Sequence, residues 1–177
     1  SETKTGEKHS DFQVTLDPTA PIESDLSRRD FTINALAKDS QGNIIDMFGG
    51  QEDIKAGVIR AVGNADERFA EDPLRMFRAL QFATRFDFTI EDETAAAIRN
   101  NLDKLDTVAG QRILIELGKA WTKGSANSAR LIELLQSTGV GKQIFGEDFD
   151  PLPVNIRHGD KMLGNAMAFF VNGGDYM

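Results

Sequence analysis

Near residue 65 the apolar residues of this chain change their spacing, and that change limits the folds it can adopt. Upstream, Phe12, Val14 and Leu16 alternate with polar neighbours, the period of a half-buried strand, and Asp17-Pro18 ends the run. Residues 1–11 read as a polar, flexible lead-in. Ile44-Ile45-Asp46 is a short strand ending near Gly49-Gly50, and Val58 through Val62 is another, cut off by Gly63. One helix is predicted here, Ser27 through Lys38, with Ser27 as N-cap, Asp30 three residues on, and Phe31 and Ala35 on one face. Gln41-Gly42-Asn43 is a turn.

Downstream the spacing is helical. Asp72-Pro73 supplies an N-cap and an N1 proline for a helix running to about Phe86. Thr94, Ile98, Leu102 and Leu105 stripe a second helix; Ile113, Leu114, Leu117 and Trp121 stripe a third. Ser125 to Thr138, closed by Gly139, makes a fourth, with Leu131, Ile132, Leu134 and Leu135 apolar. The expected class is therefore α+β: short strands and a helix over 1–65, an all-helical unit over 66–150, and an unassigned tail over 151–177. Within that tail Met162 to Val171 reads as one more short helix. No internal repeat is present.

Composition removes several function classes. There is no cysteine among the 177 residues, so disulfides and thiolate metal sites are excluded. His9 and His158 stand alone and read as surface residues. No run approaches the roughly 18 apolar residues that span a bilayer, and the polar start lacks a secretion signal, so a cytoplasmic protein is expected. The net charge of −8 argues that this piece alone does not hold RNA tightly, although a local basic stripe is compatible with it.

Three constellations have chemical content. In Arg28-Arg29-Asp30-Phe31-Thr32-Ile33-Asn34-Ala35, two arginines in the first turn of the predicted helix oppose its macrodipole. Either they are simply solvated, or helix N–H groups and two guanidiniums converge on a polyphosphate. Asp30 would accept from a sugar hydroxyl or merely cap the helix.

In Glu71-Asp72-Pro73-Leu74-Arg75-Met76-Phe77-Arg78, Asp72 and Arg75 stand at i,i+3 and Arg78 continues the polar face. A carboxylate beside a guanidinium matches the Watson–Crick edges of cytosine and adenine, which both present an amine beside a ring acceptor. The plain alternative is a helix-start ion pair, worth little when exposed. Asp46, Gly49, Gly50 and Asp53 form a glycine turn flanked by acids. Arg112 and Glu116 are i,i+4 on one helix, a surface pair or a brace for a loop.

These strings, in this order, resemble the class II tRNA nucleotidyltransferases and their bacterial poly(A) polymerase relatives. The resemblance runs from about Thr3 to Gly146 and rests on Asp25 through Ala35 and on Arg68 through Ala79. It implies the distal part of a nucleotidyltransferase head, followed by a helical neck. It implies that Arg28, Arg29 and Asp30, with Asn34, handle the ribose and phosphates of CTP and ATP. Asp72 and Arg75 become a protein template for the base, with Glu71 orienting Arg75 and Arg78 alongside. Asp46, Gly49, Gly50 and Asp53 become a hinge-like motif, and Arg112 with Glu116 a support in the neck. The family's Gly-Gly phosphate turn and its Asp-x-Asp strand, whose Asp pair binds two metal ions, magnesium in the complete enzyme, lie upstream of the residues seen here; Asp11 and Asp17 do not make that pattern. The expectation is a truncated or split enzyme for CCA addition to tRNA, inactive alone and paired with a complementary N-terminal chain or a second copy. A non-catalytic binding remnant and part of a poly(A) polymerase are the alternatives.

Overall fold

The computed structural model describes residues 2–4, 12–14, 22–121, 125–147 and 149. The tail over 151–177, its Met162 to Val171 helix, the lead-in over 5–11, Leu16, Asp17-Pro18, His9 and His158 lie outside these residues. Strand β1, Glu2–Lys4, pairs antiparallel with β2, Phe12–Val14, with Thr3 opposite Gln13. The alternating stretch is thus a strand, and a part of the polar lead-in is its partner.

The predicted helix over Ser27 to Lys38 is replaced by four short pieces. Helix α1, Ile22–Leu26, ends before the arginines; a turn covers 27–30; Phe31 bridges Ala61; and a 3-10 turn, Thr32–Asn34, leads into strand β3, Leu36–Lys38. Ser27 does not cap a helix start, and its hydroxyl donates to the Ser24 carbonyl at 3.1 Å. β3 pairs antiparallel with β4, Ile44–Asp46, so Gln41-Gly42-Asn43 belongs to a hairpin turn. Asp39 builds that turn by accepting from the backbone N–H of Gln41 and of Asn43, both at 2.8 Å, while Gly42 takes φ +92°. Local propensity favoured helix here, but distant pairing decided otherwise.

Helix α2, Gly50–Ala56, stops at Gly57, whose φ of +69° lets its N–H turn back to the Asp53 and Ile54 carbonyls. Strand β5 is only Val58–Ile59 and lies parallel to β6, Thr89–Ile90. Helix α3, Ala65–Glu71, is capped by Asn64, whose side chain accepts from Glu67 N–H. Helix α4, Leu74–Phe86, is the central element, burying Leu74, Met76, Phe77, Ala79, Leu80 and Ala83. Its neighbours are α6, Gly110–Trp121, and α7, Ser125–Thr138.

The second predicted helix breaks in two. Helix α5, Asp92–Asn100, is followed by a 3-10 stretch, Leu102–Thr107, which still buries Leu105. On α6 Ile113 is buried, but Leu114 is 46% exposed and stands outside the stripe. Helix α7 ends at Thr138 as expected, and Gly139 at φ +81° opens a last helix, α8, Val140–Phe145. Phe31 and Ile59 from before residue 65 sit in one apolar core with Phe69, Phe77, Ile98 and Leu131. Phe31 meets Phe82 edge-on at 5.7 Å. The class is α+β, mostly helical with short two-stranded sheets. Among the described residues no helix is long and apolar enough to cross a membrane.

Candidate functional site

Arg28 and Arg29 follow the end of α1 instead of opening a helix, so the expected opposition to a macrodipole does not arise. Arg29 pairs with Asp25 at 2.7 Å, an exposed i,i+4 bridge. The Phe31 and Thr32 amides that would face such an anion are engaged within the protein. The Thr32 N–H donates to the Arg60 carbonyl at 2.9 Å, and the Phe31 N–H donates to Asn34 Oδ1 at 3.2 Å. Asn34 thus closes its own turn.

Asp30 is the hub. One carboxylate oxygen lies 3.2 Å from Arg75 Nε and the other 2.6 Å from Arg78 Nη2. Arg75 also donates Nη1 to Glu71 at 3.0 Å and Nη2 to the Arg28 carbonyl at 3.3 Å. Its side chain is only 12% exposed and that of Asp30 14%, which makes this ion pair stronger than a surface bridge. Arg78 lies over the Phe82 ring at 5.7 Å, adding a cation–π contact. A guanidinium carries more N–H donors than Arg75's partners use, so both terminal nitrogens keep donors for a ligand. The two sequence strings therefore meet in space.

The side chains of Asp72 and Arg75, expected as neighbours, do not pair, although the Arg75 N–H donates to the Asp72 carbonyl at 3.0 Å. Asp72 has extended backbone, φ −142° and ψ +97°, at the end of α3, so the proximity of i,i+3 residues inside a helix does not apply. Its Oδ1 accepts from Leu74 N–H at 3.2 Å, which starts α4, and its Oδ2 stands 3.9 Å from Arg112 Nη2. Glu71, at i,i+4, takes Arg75 instead, and Arg68 joins the same carboxylate at 3.1 Å. Glu116 is buried at 5% exposure and its ion pair runs to Lys119 at 2.7 Å.

The acid-flanked glycine turn is a structural latch. Asp46 accepts from the backbone N–H groups of Gly50 and Gln51, both at 2.9 Å, at the head of α2. Burial alone would push its carboxyl up, but these bonds and that of the Gln51 side chain hold it below the usual aspartate range. Gly49 occupies the left-handed region at φ +74°, and a side chain on Gly50 would fall 2.1 Å from the Thr32 carbonyl oxygen. Asp53, buried on α2, accepts from Thr32 Oγ1 at 2.6 Å and from Arg60 Nε at 3.1 Å. Thr32 and Arg60 carried no expected role, and no spacing rule connects them with Asp53.

Residues 1–60 match the model of the poly(A) polymerase head domain, and residues 87–151 match that of a probable RNA- and SrmB-binding site of polymerase A. The chain belongs to the family of class II tRNA nucleotidyltransferases and bacterial poly(A) polymerases. It is 52% identical over 102 residues to a CCA-adding enzyme of Ligilactobacillus salivarius, covering 58% of this chain and 24% of that one. Its fold is similar to a crystal structure of the Bacillus stearothermophilus CCA-adding enzyme in complex with CTP, with TM-score 0.67 and 37% identity, covering 80% of this chain and 33% of that one. A Thermotoga maritima CCA-adding enzyme complexed with tRNA gives TM-score 0.66 and 32% identity, over 84% of this chain and 35% of that one. The chain thus spans about a quarter to a third of these nucleotidyltransferases. The string Asp25 to Ala35 falls inside the first matched segment and Arg68 to Ala79 lies between the two, and the Asp30–Arg75–Arg78 junction is where they touch.

Proposed function

We propose that this chain supplies nucleotide selection to a cytoplasmic tRNA nucleotidyltransferase that adds CMP and AMP to tRNA 3′ ends. The observation that carries this reading is the junction of Asp30 with Arg75 and Arg78, which brings the two family strings to one place. In it Arg28 and Arg29 face the phosphates of CTP or ATP and Asp30 takes the ribose. Asp72 accepts from the exocyclic amine, while Arg75, steadied by Glu71, donates to the ring acceptor. Residues 1–65 serve as the distal head and 66–150 as the neck. Arg112 and Glu116 brace that neck, and Asp46, Gly49, Gly50 and Asp53 form the joint between the two.

Phosphoryl transfer in such enzymes is metal-assisted in-line attack, with magnesium the expected ion. Among the described residues no three His, Asp or Glu side chains are grouped to hold a metal. A complementary chain or a second copy fits the apolar side chains left open beside the hairpin, Ile44 at 55% and Met47 at 48% exposure. With a net charge of −8, tRNA contacts by this piece are weak. The description of the head-domain model favours a second reading, part of a poly(A) polymerase, in which ATP alone is selected.

Equilibrium binding of the four ribonucleoside triphosphates to the purified chain decides among these. CTP and ATP should bind at least about tenfold tighter than UTP and GTP, the lower end of the discrimination one bidentate contact gives. Selection of ATP alone would favour the polymerase reading. Equal binding of all four would overturn both.

A further inference from the structure

Arg60 has none of the motif roles above, yet it joins three elements. Its guanidinium Nε donates to Asp53 on α2 at 3.1 Å, and Nη1 lies 3.3 Å from Glu91 Oε1, ahead of α5. Its own carbonyl accepts from the Thr32 N–H at 2.9 Å. Asp53 and Glu91 extend the network on either side. Asp53 Oδ2 takes the Thr32 hydroxyl at 2.6 Å, and Glu91 Oε2 takes the Thr94 N–H and hydroxyl, both at 2.8 Å. Thr94 Oγ1 then accepts from Ala61 N–H at 3.1 Å, which closes the circuit beside Arg60.

The same segment carries the site. Phe31 bridges Ala61, and Val62 N–H donates to the Asp30 carbonyl at 3.1 Å. Asp30 is therefore held on its backbone by the Arg60–Val62 segment that follows β5, while its carboxylate holds Arg75 and Arg78. We propose that Arg60 is a positioning residue: by bridging Asp53 and Glu91 it fixes the Asp30–Thr32 segment and so sets where Asp30 meets Arg75 and Arg78. Arg60 has no place in the proposed nucleotide contacts, so its effect passes through that segment. The proposal rests on the nucleotide-selecting reading of the site.

A merely structural arginine would alter stability and leave the affinity of folded molecules alone. Lysine retains one charge but cannot fork between two carboxylates, so it serves as a graded control. Arg60 is 45% exposed along its side chain, and removing it creates no internal void.

The test compares wild type, Arg60→Gln, Arg60→Lys and Glu91→Gln in the 177-residue chain. The readouts are amide hydrogen exchange at Thr32 and Val62, the Arg75 Nε–H resonance, and the CTP dissociation constant under conditions where each variant is folded. Arg60→Gln should speed exchange at both amides at least tenfold, shift the Arg75 signal, and weaken CTP at least tenfold. Glu91→Gln and Arg60→Lys should fall between it and wild type. Unchanged exchange and an unchanged Arg75 signal would overturn the proposal, and so would faster exchange with unaltered CTP affinity. If wild type binds no CTP, the nucleotide reading itself fails, and positioning is then judged on the exchange rates and the Arg75 signal alone. Should Arg60→Gln unfold, the Arg60→Lys and Glu91→Gln comparison decides by the same criteria.

Discussion

Arg75 and Asp30 meet across the change of spacing near residue 65, Nε 3.2 Å from a carboxylate oxygen, with side chains 12% and 14% exposed. Arg78 shares the same carboxylate at 2.6 Å. Removing Asp30 leaves two guanidiniums facing each other in a half-buried site with Glu71 as the remaining carboxylate for Arg75. Asp30→Ala should destabilise the chain by about 3 kcal/mol, the scale of breaking a mostly buried ion pair from one side. Urea unfolding measures this; a loss below about 0.5 kcal/mol would mean that the pair is as weak as an exposed bridge.

Gly49 and Gly50 should respond to alanine for different reasons. At Gly49 nothing lies within 4 Å of an added Cβ, and the cost is the left-handed backbone alone, about 1–2 kcal/mol. At Gly50 the Cβ would collide with the Thr32 carbonyl oxygen at 2.1 Å, forcing α2 away from the 3-10 turn, for about 2–3 kcal/mol. Gly49→Asn should recover part of the first loss, because asparagine tolerates the left-handed region. No asparagine at position 50 relieves the collision. Thermal and urea unfolding of the three single variants and Gly50→Asn would test the contrast.

Acid should loosen the Arg60 network through Glu91. Burial pushes the Glu91 carboxyl up, but the N–H and hydroxyl of Thr94, the backbone N–H of Glu93 and the charge of Arg60 outweigh it and hold it below the usual glutamate range. A carboxyl lowered on folding contributes stability that is complete above its unfolded value, about 4.3, and is lost as pH falls through the lower folded one. Glu91→Gln should therefore be less stable than wild type at pH 7, and the gap should close between about pH 5 and about pH 3. Asp39 and Asp46, both also lowered by hydrogen bonds, remain in the variant, so its residual acid sensitivity is expected. A gap independent of pH would show that the Glu91 charge does not matter.

What was legible in the sequence was what neighbouring residues decide. Helix α7 follows from its apolar stripe and Gly139, and α4 ends at Phe86 as its spacing requires. That Glu71 orients Arg75 followed only from the family resemblance, and the structure has the two as an i,i+4 ion pair. Phe31 to Lys38 was not legible, because Phe31 answers to Ala61 and β3 answers to β4, and no local pattern records those partners. Strand β5 lies within the expected Val58 to Val62 strand but is shorter, and β6, with two residues, is too short to show a period. The site divides the same way. Its residues lie in recognisable strings, but that Asp30 serves Arg75 while Asp72 turns towards Arg112 is tertiary information.

That last arrangement sharpens the test of base selection. Asp72 starts α4 through Leu74 N–H and stands 3.9 Å from Arg112, while Arg75 is fixed by Asp30 and Glu71. The two proposed template groups are therefore held independently and can be removed independently. Asp72→Ala should cost about 1 kcal/mol of stability through the lost cap. It should also reduce the preference for CTP and ATP over UTP and GTP by about tenfold or more, while the summed affinity carried by Arg28 and Arg29 survives. Arg75→Ala should flatten the same preference and, by leaving Asp30 to Arg78 alone, also weaken CTP and ATP themselves. Asp72→Asn separates cap from template: asparagine still caps a helix, but its amide can present a donor where the carboxylate only accepts. It should keep the stability and lose the selectivity. Four-nucleotide binding isotherms on the three variants, read beside their unfolding curves, give both quantities. Selectivity equal to wild type in Asp72→Ala and Arg75→Ala would strip both residues of the template role, leaving a helix cap and a structural ion pair.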